Sequence, residues 1–69
     1  MTASLSPTGR RALVQMLINE QRGTLTHRTA VHQSARIALE ARGLIVDDGR
    51  HLTLTGDGIV AAHKIGVGT

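Results

Sequence analysis

The stretch LEARGLIVDDGRHLTLTGDGIVAA, from Leu39 to Ala62, decides the fold. Gly43 closes a helix, since glycine takes the left-handed conformation common just past a helix C-terminus. Leu44-Ile45-Val46 reads as a short apolar strand. Asp48-Gly49 is a favoured tight-turn dipeptide, because glycine supplies the positive φ such a turn needs. His51 to Thr55 returns as a second strand, with Leu52 and Leu54 facing the core and Thr53 outward. Thr55 caps a last helix through Ile59, Val60 and His63. Gly56 and Gly58 weaken the start of that helix.

Upstream, Met1 to Leu5 reads as a loose tail. Ser6-Pro7 is a helix start: Ser6 accepts an N–H of the first turn, and Pro7 lacks a donor where none is needed. Ala12, Leu13, Met16 and Leu17 recur with helical period, widened by Val14 and Ile18. Arg22-Gly23 ends this helix. After a short connection from Thr24, in which Leu25 could pair with the hairpin as an added strand, Thr26 (or Thr24) caps a segment running to Arg42. On a helical wheel Ala30, Val31, Ser34, Ala35, Ile37, Ala38 and Ala41 fall on one side. Arg28, Thr29, His32, Gln33, Arg36 and Glu40 fall on the other, and Leu39 sits at the boundary. Gly66 to Thr69 should fray. The segmentation is therefore a tail over 1–5, one domain over 6–65 and a second tail over 66–69.

Sixty-nine residues make one small domain, and chains of this size have little buried surface to spare. Phe, Tyr and Trp are absent. The expected core is Leu13, Met16, Leu17, Val31, Ala35, Leu39, Leu44, Ile45, Leu52, Leu54, Ile59 and Val60. There is no cysteine, so no disulfide and no thiolate metal site. Arginine supplies seven of the eight basic residues in a chain of net charge +3. Its planar fork of donors suits phosphates and guanine edges. No apolar run approaches a membrane span. The N-terminus lacks the basic segment and long apolar run of a signal peptide, which predicts a cytoplasmic protein.

The polar side of the Thr24–Arg42 segment is the main candidate site. Arg28, His32 and Arg36 are spaced i, i+4, i+8, one ridge of a helix. Thr29, Gln33 and Arg36 form the adjacent row. Arginine reads guanine O6 and N7, glutamine reads adenine N6 and N7, and threonine meets phosphate or the thymine methyl. The blander reading is a solvated face, which any amphipathic helix has.

Helix, hairpin and closing helix in this order resemble the second half of a winged-helix DNA-binding domain. Leu39 to Ile45 and Leu52 to Gly58 carry the likeness, and Arg11 to Gln21 resembles the first helix. The similarity is loose and closest to MarR-like bacterial and phage transcription regulators. It implies an α+β, mostly α fold: three to four helices with a two- or three-stranded wing. It implies a double-stranded DNA-binding transcriptional regulator without a cofactor, working as a homodimer through its first and last helices. Arg28, Thr29, His32, Gln33 and Arg36 would then face the major groove. Arg50 at the wing tip would meet the backbone or the minor groove, where arginine is favoured. Asp47 and Asp48 oppose that contact by repelling phosphate.

A full winged helix carries two helices before the Gly-Leu-Ile turn. Two readings of Thr24 to Arg42 follow. A very short helix, about Thr26 to Val31, precedes a recognition helix from His32; or one continuous helix replaces the pair. Many winged helices bind proteins instead of DNA, so a protein-interaction module is the alternative function.

Other chemistry has little support. His27 and His32 stand five apart, off a common helical face, and there is no His-Glu-x-x-His, so no metal is expected. His63 reads as a core or dimer-edge residue, and His32 and His51 as surface groups. Serines lie in no nucleophile-elbow pattern, and Asp47-Asp48 reads as a turn former. An enzyme is not expected. Without aromatic stacking platforms, duplex DNA is a better partner than single strands or RNA.

Overall fold

The computed structural model describes residues 5–67. Its elements are α1 (Pro7–Gln21), β1 (Thr26–His27), a 3-10 turn (Arg28–Ala30), α2 (Gln33–Ala41), β2 (Ile45–Asp47), β3 (His51–Leu54) and α3 (Gly56–Val67). Three α-helices and a three-stranded antiparallel sheet make an α+β, winged-helix-like arrangement. Met1 to Ser4 lie outside the described residues, as do Gly68 and Thr69. Leu5, expected in a tail, packs against the core. Gly66, expected to fray, lies within α3.

The local signals act as their chemistry requires. Ser6 Oγ accepts from Gly9 N at 3.1 Å, with Pro7 as the first helical residue. Gly43 follows α2 at φ +70°. At the hairpin tip Gly49 sits at φ +97°, and Asp48 Oδ1 accepts from the amides of Arg50 and His51. Thr55 Oγ1 accepts from Gly58 N at 3.0 Å and donates to Gly43 O at 2.7 Å. One threonine thus caps α3 and ties it to the end of α2.

The sheet order is β1-β3-β2. Thr26 pairs with Leu52 and His27 with His51, while Ile45 pairs with Leu54 and Val46 with Thr53. The added strand is therefore Thr26–His27, and Leu25 is exposed. Thr26 is not a helix cap. It is buried in the sheet, where its Oγ1 accepts from Asn19 Nδ2 at 3.0 Å. Alternation sends Ile45, Leu52 and Leu54 inward and Val46 and Thr53 outward.

The core is Leu13, Met16, Val31, Ala35, Leu39, Ile45, Leu52, Leu54 and Ala62, with Leu17 and Leu44 packed at its margin. Two expected members are corrected: Ile59 is 37% and Val60 53% exposed. The inner stripe of α3 is instead Gly58, Ala62 and the half-buried Ala61 and Ile65. Gly58 explains the rotation. A Cβ there would stand 1.9 Å from Leu44 O, so this position must meet the β2 entry bare. His63 is exposed on α3 and is not part of the core. Glu20 joins α1 to the sheet, its Oε2 accepting from Leu54 N at 2.8 Å. Among the described residues no helix is long and apolar enough to cross a membrane.

Candidate nucleic-acid interface

The segment from Thr24 to Arg42 resolves into two pieces. Val31 and His32 are extended, with φ/ψ of −111°/130° and −55°/141°, and they separate the 3-10 turn from α2. Each piece starts on a histidine. His27 Nδ1 accepts from Thr29 N, and His32 Nδ1 accepts from Ser34 N, both at 3.2 Å. An imidazole nitrogen here does the work usually given to a serine or aspartate oxygen.

That break shifts the helical face. Within α2 the buried residues are Ala35 and Leu39. Leu39, placed at the boundary by a continuous wheel, is at the centre of the buried stripe. Ile37, placed on the apolar side, lies about 200° from Ala35 and is 57% exposed. Ser34 and Ala41 are exposed as well. The outward face of α2 is therefore Gln33, Ser34, Ile37, Glu40 and Ala41.

The arginines are arranged differently from the expected ridge, because Arg28 lies in the 3-10 turn and Arg36 in α2. Both turn toward Asp47. Arg28 Nε stands 3.1 Å and Arg36 Nε 3.9 Å from Asp47 Oδ2. Arg36 Nη1 also donates to Arg28 O at 3.1 Å. The Arg36 side chain is only 14% exposed, so the expectation of an exposed arginine is corrected. The Arg28 side chain retains 39% exposure. The Gly49 amide holds the Asp47 carboxyl below the ordinary aspartate value of 3.8, aided by Arg28 and Arg36 and opposed by desolvation. Asp47 is thus more than a turn former. It joins the 3-10 turn, α2 and β2, and its charge is compensated by two guanidinium groups. Sequence reading missed this role because 19 residues separate Arg28 from its partner.

Thr29, His32, Gln33 and Arg50 are exposed. His32 caps α2 and Gln33 is its first residue, Thr29 lies in the preceding 3-10 turn, and Arg50 stands at the wing tip. The Arg50 carbonyl accepts from Arg28 N at 3.0 Å, which binds the wing tip to the 3-10 turn. Asp48, also at the tip, has its carboxyl lowered by the backbone amides of His51 and Arg50. Beside the start of α2 runs a groove of about 250 Å³, with Arg11, Gln15 and His32 on its rim and Met16 and Val31 in its floor. Arg11 therefore lies on the same side of the molecule as the α2 N-terminus. On the outer face of the sheet His27 and His51 meet edge to face at 5.6 Å.

Comparison with protein families, with curated proteins and with solved structures gives no match.

Proposed function

We propose that the chain is a small duplex-DNA-binding protein, a transcriptional regulator and not an enzyme, acting in the cytoplasm. One observation carries this reading: Gln33 and Ser34, which open α2, are exposed, and the Arg28–Asp47–Arg36 cluster together with the Arg28 N–Arg50 O hydrogen bond ties that end of the molecule to a short wing tipped by Arg50. Recognition helices contact base edges with their N-terminal residues. Here His32 and Gln33 occupy that end, with Thr29 in the 3-10 turn before it. The half-exposed Arg28, Arg11 at the groove rim and Arg50 supply positive charge for phosphates. Arg36 acts by positioning α2, not by reaching a base. Two copies would double these contacts and set a half-site spacing.

A protein-interaction module is the second reading. Val46 on the outer sheet face and Val60 on α3 are each 53% exposed, and neither lies on the DNA face. Binding to random-sequence duplex, followed by fluorescence anisotropy at low and near-physiological salt, separates the two. Phosphate-driven binding weakens steeply with salt and falls in Arg50→Ala. An absence of binding at low salt overturns the DNA reading in favour of a protein partner.

A further inference from the structure

We infer that the α2 face selects A·T base pairs, with Gln33 reading adenine and Ile37 packing on the thymine methyl. This rests on the DNA-binding reading and deepens it. Arg36, the only basic residue within Gln33–Ala41, is turned inward to Asp47 and to Arg28 O. The helix therefore offers no guanidinium fork for guanine O6 and N7, the commonest specific contact to a G·C pair.

What remains outward is specific in another way. Gln33 and Ile37 are one helical turn apart on the same face, both exposed, with Ile37 57% accessible. A glutamine amide matches the N6 donor and N7 acceptor of adenine, and an apolar side chain matches the C5-methyl of thymine. Their separation along the axis is about 6 Å, one to two steps of about 3.4 Å in B-DNA. Ile37 also lacks a structural task, since the core closes on Ala35 and Leu39 without it. Glu40 follows one turn from Arg36 and is exposed near the C-terminal end of the same face. Its carboxylate repels phosphate there and confines base contact to the first two turns.

The test uses duplexes selected by the wild-type chain from a random-sequence pool, each then made with thymine or with uracil. Uracil keeps every hydrogen-bonding group and removes only the methyl. The expected result is an A·T-containing consensus and a loss of about three- to five-fold in affinity on uracil substitution, the worth of one buried methyl. Ile37→Ala should bind both forms alike, Ile37→Val should retain the preference, and Gln33→Ala should lose the preference for adenine. A G·C consensus, or equal wild-type affinity for thymine and uracil duplexes, overturns this inference while leaving DNA binding standing. No duplex binding at low salt overturns both.

Discussion

Gly58 offers the most quantitative test of how the wing is joined to α3. Alanine is a better helix former than glycine by about 1 kcal/mol, so propensity alone favours Gly58→Ala. The packing says otherwise. A Cβ at this position would stand 1.9 Å from Leu44 O and 2.9 Å from Leu44 C. Side-chain contacts essentially never fall under 3.0 Å, so backbone must move by at least about 1.1 Å. The oxygen that has to move accepts from Thr55 N at 3.0 Å, and Thr55 is the residue that caps α3. Overpacking with a backbone shift costs about 1–3 kcal/mol, and a weakened N-cap about 0.5–2 kcal/mol. After subtracting the gain in propensity, the net loss is about 2 kcal/mol. For a domain of this size that lowers Tm by roughly 8–16 °C. Gly56→Ala is the control, because nothing lies within 4 Å of its would-be Cβ. It should gain about 0.4–1 kcal/mol. Thermal unfolding followed by far-UV circular dichroism reads both variants. A Gly58→Ala chain as stable as Gly56→Ala would refute the close approach of α3 to Leu44.

Other perturbations have equally definite outcomes. Asp47 and Asp48 are both held below their ordinary value, so the folded chain binds fewer protons than the unfolded chain in acid. Their contribution is fully present above the ordinary aspartate range and is lost as pH falls through the lowered folded values. Denaturant midpoints should drop below about pH 4, and less so in Asp47→Asn, whose stability is already reduced at neutral pH. Arg36→Ala should lower Tm more than Arg50→Ala, since Arg36 bridges α2 to Asp47 and Arg28 O; equal midpoints would remove its positioning role. Glu20→Ala deprives Leu54 N of a charged acceptor, a loss of about 1.5–3 kcal/mol by chemical denaturation. In binding assays Arg50→Ala should weaken all duplexes alike and reduce the salt slope by about 1.

Much of the fold is legible because its signals are local. Ser6-Pro7, Gly43, Asp48-Gly49 and the Thr55 cap on Gly58 N each act within a few positions, and each does in the structure what its chemistry implies. The segment between β1 and β2 is less legible. Its break at Val31-His32 contains neither glycine nor proline, and its cap is a histidine, a residue type seldom read as one. The sequence allows that break as one of two readings, but a wheel drawn as one continuous helix hides Leu39 and misplaces Ile37. The Arg28–Asp47–Arg36 cluster is non-local, so a run of polar residues looks like a solvated face when part of it is a half-buried anchor. Ile59 and Val60 fail for a related reason. The close contact of Gly58 with Leu44 O sets which side of α3 faces inward, and hydrophobicity alone does not reveal that contact.

The central claim is that the exposed start of α2 and the wing tip form one DNA-binding surface. The most direct measurement is an amide-resolved NMR titration of the isotope-labelled chain with duplex DNA at low salt. The account predicts shifts concentrated at Thr29, His32, Gln33, Ile37 and Arg50, with Val60 and His63 on α3 unmoved. Shifts centred on α3 or on Val46 of the outer sheet face, or none at all, would contradict it.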